Sequence, residues 1–363
     1  MKHALKQSTL IIAAIVTFAA CKKDSDPTII IPPSNGSKMT INESAPDNEI
    51  GSSAKNSVFI DFSTDKQSAV KRDSWDLAFY SGNDFRVKIN NTALALAKVV
   101  NKADINAVNV SDTVGAKLIW DQSNPQLVSL GLTDAVNGDL TKTVIPAISS
   151  NDADNKVIII NRGTNGGITA RDFMKVKILR KGDGYTLQYA KLNATTFSTI
   201  DVAKDANYNF KYVSFDNGGV TVEPTKKDWD IMWTYSGYEY LWGSSLVEYG
   251  ASDYILINYL NNTQATEIVY ANESVASDAF TKFNKDSVSK YPSFAKTYNA
   301  IGDKWRVTSR TGNEPDPVGI RKYRFYIIKD AAGNSYKLRF IAAGIGGDGG
   351  TRGKPQIEYS LIK

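Results

Sequence analysis

The chain is short of the residues from which most catalytic and metal sites are built. Its 363 residues include one histidine, one cysteine and four methionines. The histidine, His3, lies in a leader-like stretch, so the processed chain holds no imidazole. That excludes Ser-His-Asp and Cys-His nucleophilic machinery, a histidine general base and zinc sites built on imidazole. We therefore expect no catalytic residue, no metal ligand set and no enzymatic activity. A lone thiol also excludes an internal disulfide, leaving the fold to its core. A basic stripe is missing too: the formal net charge of +5 drops to +3 without Lys2 and Lys6, and the remaining charges are scattered. Binders of nucleic acid gather Lys and Arg on one face, so no nucleic-acid partner is expected.

The N-terminus has a clear pattern. Lys2 and Lys6 precede the apolar run Leu10 to Phe18, too short to span a bilayer and suited to a signal-peptide core. Ala19-Ala20-Cys21 follows, placing small residues directly before the only cysteine, as lipoprotein processing requires. Residues 1–20 thus read as a signal peptide and Cys21 as the lipidation site, with the lipid holding the protein to a membrane. Residues 21–54 read as a flexible tether. Lys22-Lys23-Asp24-Ser25-Asp26 fits either an export signal to the outer face of the outer membrane or a plain solvated linker, and the Pro, Ser, Asn and Gly beyond it suit an extended spacer.

The remaining 300 or so residues read as strands nearly everywhere: short β-branched and aromatic runs separated by turn formers. The clearest hairpin joins Arg324–Lys329 to Tyr336–Phe340, with Tyr336, Leu338 and Phe340 on one face and Lys337 and Arg339 on the other. Gly182-Asp183-Gly184 turns an earlier hairpin. Ser274 to Lys290 is the one plausible helix, with Ala279, Phe280 and Phe283 on one side.

Three blocks occur twice in the same order. Lys71-Arg72-Asp73-Ser74-Trp75-Asp76 returns about 150 residues later as Lys226-Lys227-Asp228-Trp229-Asp230. Asn90-Asn91-Thr92 is matched by Asn261-Asn262-Thr263, and Lys175 to Tyr189 by Arg324 to Phe340. A period this long implies two domain-sized units, at 55–203 and 204–363, because solenoid repeats are only about 20–50 residues. Trp75 and Trp229 read as core aromatics, and Asp76 and Asp230 as acceptors of backbone N–H groups.

A Lys/Asp-rich turn, Trp-Asp-aliphatic-Ala-Phe, an Asn-bearing hairpin and a late strand pair with Gly-x-x-Tyr-x-Leu together resemble the HmuY family. The resemblance implies an all-β fold, here two tandem antiparallel β-sheet domains with few or no helices. It also implies a surface-exposed outer-membrane lipoprotein that captures haem or a related porphyrin and passes it to a TonB-dependent outer-membrane receptor, a role in iron acquisition. Family members hold haem iron between histidines or through methionine, so ligand residues do not carry over to a chain without histidine.

The second copy is longer by about 17 residues between its Trp-Asp and Asn-Asn blocks. This insertion, within 235–254, carries Tyr238, Tyr240, Trp242 and Tyr249, bracketed by Tyr235 and Tyr254. Exposed aromatics on a rigid scaffold make binding surfaces, but the same rings could cap a sheet or fill a seam. Met232, Tyr235, Tyr238, Tyr240 and Trp242 are the candidate ligand residues. Met232, Tyr238 and Tyr240 are the axial candidates if haem is bound, since sulfur and phenolate both ligate haem iron. Met232, standing where Ala78 stands in the first copy, reads more readily as core than as ligand. The alternative function is surface adhesion, with the insertion gripping glycan or protein. Gly346 to Lys354 lacks the spacing of a phosphate-binding loop and reads as a surface loop.

Overall fold

The computed structural model describes residues 32–42, 55–120, 131–164, 167–242, 245–308 and 314–363. The signal peptide, Cys21 and the first part of the tether lie outside these residues. Four antiparallel sheets dominate, stacked as layers, because strand after strand is apolar on both faces and each face needs a partner.

One inner sheet has the order β14-β13-β2-β3, from Ser245–Ile257, Ile231–Trp242, Asn56–Asp61 and Lys66–Lys71. The other has the order β12-β11-β4-β5, from Gly218–Val220, Phe210–Ser214, Leu77–Tyr80 and Val87–Ile89. Each packs on an outer five-stranded sheet. The first outer sheet is β1-β20-β19-β18-β15, from Gly36–Thr40, Gln356–Leu361, Ser335–Ala342, Arg324–Lys329 and Gln264–Val269. The second is β10-β9-β8-β7-β6, from Ser198–Val202, Gly184–Lys191, Met174–Lys181, Val157–Asn161 and Leu96–Val100. A two-residue pair, β16 (Arg306–Val307) and β17 (Gly319–Ile320), stands apart.

Period-two alternation sets the layers. In β2, Val58 and Ile60 join Ile231, Trp233, Tyr326 and Leu338 in the core against the first outer sheet. Phe59 points the other way, into an aromatic core with Trp75, Phe210, Trp229 and Met232 that glues the inner sheets together. Leu77, Phe79, Val87 and Ile89 pack on Ile158, Ile160, Val176 and Leu187 of the second outer sheet.

The β18–β19 hairpin alternates as expected, with Tyr336, Leu338 and Phe340 buried. Gly182, at φ +55°, turns β8 into β9. The helical stretch is shorter and broken: α1 spans Glu273–Lys282 and α2 Lys285–Val288. Phe283 between them is extended, and Asn284 caps the second helix as Asn272 caps the first. Phe280 and Phe283 meet Phe325 edge-on, at 5.3 and 5.4 Å.

Part of the 21–54 tether is not spacer. Gly36–Thr40 forms β1 on the edge of the first outer sheet, and Ile41 is fully buried. Five residues are too few for an alternation to stand out from the Pro- and Ser-rich surroundings. The boundary near residue 203 does not separate the sheets either. β2 and β3 pair with β13 and β14, while β11 and β12 pair with β4 and β5.

The backbone and asparagine hydrogen bonds around the two Trp-Asp pairs are the same. Asp76 donates its N–H to Val213 O (2.9 Å) and accepts from Phe215 N (2.8 Å). Asp230 donates to Ile60 O (2.8 Å) and accepts from Phe62 N (2.8 Å). Asn90 Nδ2 donates to the carbonyls of Arg72 and Trp75, and Asn258 Nδ2 to those of Lys226 and Trp229. The counterpart of Asn90 is therefore Asn258, three residues before the asparagine that the sequence match selects. Sheet order likewise sets β18 and β19 opposite β7 and β8, one strand away from the pairing of Lys175–Tyr189 with Arg324–Phe340.

Candidate functional site

The aromatic insertion is the far part of the β13–β14 hairpin. Only Ile231, Met232 and Trp233 of β13 pair with β2, so the hairpin runs on beyond its sheet. A bulge between Thr234 and Ser236 shifts the register, and Asp253 across from it takes a left-handed φ of +54°. Beyond the bulge Tyr238 stands directly opposite Tyr249, and Tyr240 is two residues further along the same face.

Four tyrosines thus make one ladder. Tyr238 lies 6.1 Å from Tyr240, 6.0 Å from Tyr249 and 5.6 Å from Tyr254, ring centre to ring centre, and Tyr240 lies 5.6 Å from Tyr249. These are edge-to-face and tilted contacts within the favourable range. The ladder grades from inside to outside: Tyr254 is buried, whereas Tyr238, Tyr240 and Tyr249 are half-buried. Burial raises the phenol pKa of Tyr254 and Tyr238, with Asp303 adding to it. Tyr235 is not part of this face. It is buried with Leu94 and Trp120, under the Arg72 guanidinium at 5.0 Å. Trp242 ends β13, and its side chain lies outside what is described.

Met232 sits in the seam between the inner sheets, 4% exposed, among Phe59, Trp75, Phe210 and Trp229. It borders a cavity of about 40 Å³ also lined by Lys88, Tyr212, Glu223, Asn258 and Tyr298. That volume holds about three waters, at roughly 10–15 Å³ each. A pocket for a ligand the size of a porphyrin needs about 300–1,000 Å³, so the surroundings of Met232 do not fit haem. Tyr240 and Tyr249, half-buried and tilted 41° to one another, are the ring surface that the hairpin leaves partly open.

The two Trp-Asp pairs serve packing. Trp75 meets Tyr212 edge-on at 5.0 Å, and Trp229 meets Phe59 at 5.1 Å. Their aspartates differ in surroundings. Asp76 takes both arms of the Arg162 guanidinium, Nε at 2.7 Å and NH2 at 2.8 Å, and Arg162 also grips Asp216 at 2.6 Å. Burial pulls the Arg162 pKa down, but its hydrogen bonds to Asp76 and Asp216 outweigh that and raise it. Asp230 has no such cation among the described residues. Burial, with Asp61 and Asp330 nearby, pushes its carboxyl up to about 8 against the hydrogen bond from Phe62.

Arg162, Lys88, Asp134 and Glu223 were not singled out by sequence reasoning. Each lies in an ordinary strand or loop pattern; Lys88, between Val87 and Ile89, reads as the wet side of an alternating strand. The glycine-rich loop is occupied by its own acid: Asp348 accepts from Ala343, Gly344 and Gly350 N–H, filling the nest that a phosphate would need. Among the described residues no cluster of acidic, histidine or cysteine side chains could hold a metal ion, and no helix is long and apolar enough to cross a membrane.

Fold and candidate surface define an all-β protein with an aromatic face on a projecting hairpin. A family model described as HmuY protein matches residues 53–359, and the chain belongs to the HmuY family. No curated protein and no solved structure matches it.

Proposed function

We propose that this chain is a ligand-capture lipoprotein of the HmuY type, anchored at the outer membrane through Cys21 and facing the cell surface. Its cargo is haem or a related porphyrin, held by the tyrosine ladder and delivered to a TonB-dependent outer-membrane receptor. The observation that carries the reading is the convergence of Tyr238, Tyr240 and Tyr249 on one face of a hairpin that extends beyond its sheet. Phenolate ligation or ring stacking then replaces the histidines that the processed chain lacks. Met232 is not part of this site. Surface adhesion is the second reading, favoured by the same half-buried rings, which also suit the apolar face of a sugar.

Residues 55–203 and 204–363 are read as two copies of one unit, each lending its leading hairpin to the other's inner sheet. The repeated Trp-Asp and Asn hydrogen bonds support this.

Haemin titration of the processed protein, followed at the Soret band, tests the capture reading. Saturable one-to-one binding is expected, weakened at least tenfold in Tyr240→Ala/Tyr249→Ala and unchanged in Met232→Leu. Binding that resists the tyrosine double variant refutes the site. A spectrum of free haemin throughout refutes the cargo and leaves adhesion, to be read by glycan binding of the same variant.

A further inference from the structure

The seam between the inner sheets is built alike on its two sides, with one exception. In one sheet Met232 is flanked by Phe59 of β2 and Leu256 of β14. In the other, Ala78 is flanked by Tyr212 of β11 and Lys88 of β5. The Trp229–Phe59 and Trp75–Tyr212 pairs have nearly the same geometry, 5.1 Å at 80° and 5.0 Å at 83°. Leucine and phenylalanine therefore satisfy the packing at these positions. Half-buried lysine and tyrosine on the other side bring charge and a hydroxyl to the lining of the seam, where charge is costly to desolvate.

Besides Lys88, the titratable groups lining the cavity are Tyr212, Glu223, Tyr259 and Tyr298; Asp134 acts on Lys88 from outside that lining. Glu223, following β12 and 3% exposed, accepts from Phe210 N at 2.7 Å and faces Tyr212 OH at 3.3 Å. Asp134, 2% exposed, accepts from Ile89 N at 2.9 Å and Val144 N at 2.8 Å, on either side of Lys88 and its loop. Tyr298 supplies a ring 4.7 Å from Lys88 Nζ, and Phe210 another at 5.3 Å. Among the described residues Lys88 Nζ has no carboxylate at ion-pair distance. Burial lowers its pKa, and the more distant charges of Asp134 and Glu223 oppose that fall. Trp229 Nε1, in the same lining, is buried without an acceptor.

We propose that Lys88, Glu223 and Asp134 form a proton-operated latch on the seam, in which protonation of Glu223 removes a counter-charge from Lys88 and resets the packing of the aromatic wall. An ammonium held between two rings and two separate carboxylates has no single bonded partner to keep it in place. Its position follows the charge on those carboxylates. Burial pushes Glu223 up to about 7 and Asp134 up to about 6, while hydrogen bonds and Lys88 oppose the rise. The cluster therefore changes charge in the mildly acidic range. An all-apolar seam such as the Phe59/Leu256 side has no such response. The latch does not depend on the ligand reading above, and its test needs no ligand.

Trp75 and Trp229 line the cavity, so tryptophan emission reports its state. Emission followed from pH 8.5 to 5.0 on the processed protein is expected to change with a midpoint between about 6 and about 7. The transition disappears in Glu223→Gln and moves in Lys88→Met. A flat profile, or one that Glu223→Gln leaves intact, overturns the latch. Carboxyl ¹³C NMR of the wild-type protein keeps the test open if a variant fails to fold: Glu223 titrating at the ordinary glutamate value would also overturn it.

Discussion

Replacing Arg162 by methionine isolates the largest electrostatic difference between the two Trp-Asp sites. The guanidinium is 4% exposed and binds Asp76, 1% exposed, through two hydrogen bonds. Methionine keeps much of the side-chain volume and removes the charge, leaving a buried carboxylate with the Phe215 N–H and a more distant Arg171 at 3.4 Å. Breaking a buried pair from one side costs about 3–5 kcal/mol, because the remaining ion stays desolvated. Arg171 should hold the loss toward the lower end, near 3 kcal/mol. Urea unfolding monitored by tryptophan emission gives the value, provided the slope is unchanged. Adding Asp76→Asn should recover part of the loss, since the uncompensated ion is then gone. A loss below about 1 kcal/mol, the worth of a surface ion pair, would refute the reasoning and assign Asp76 to Arg171 and the backbone.

Two further outcomes follow from the buried polar groups. Asp230, Glu223 and Asp134 are raised to about 8, 7 and 6, so the folded state binds more protons than the unfolded one. Their destabilising effect is complete above pH 8 and is relieved as pH falls toward 5. Carboxylates held low, such as Asp216 and Asp348, withdraw their support only below the ordinary carboxylate value. Melting temperature should therefore rise from pH 8.5 to about 5.5; a fall over that range in calorimetry contradicts these assignments. Asn90→Ala and Asn258→Ala should cost similar amounts, about 1–3 kcal/mol each, because each leaves a matched pair of carbonyls without a donor. Chemical denaturation that finds one costly and the other neutral would break the equivalence of the two sites.

The sequence carried the fold class well, since period two is strong in β19, β18 is a short apolar run of β-formers and the turn glycines are in place. It carried the Trp-Asp elements because the motif recurs with the same residue types, although the N–H groups that Asp76 and Asp230 accept from belong to distant strands. Long-range pairing was not legible. Nothing near Phe59 names β13 as its partner. The asparagine match failed because Asn-Asn recurs close to the residue that makes the bonds. The tyrosines were visible as an insertion, yet the bulge at Thr234–Ser236 decides which face each ring joins, and it turns Tyr235 away from the others. Lys88 and Glu223 had no local signal, because only the meeting of two sheets buries Glu223 and half-buries Lys88.

The central claim is that the ladder on β13–β14 receives the cargo, and hydrogen–deuterium exchange with and without stoichiometric haemin tests it most directly. The account predicts slowed exchange concentrated in peptides covering 235–254, with the seam strands β4 and β5 unchanged. Protection confined to another part of the chain, or no protection at a haemin concentration that saturates the Soret change, would contradict it.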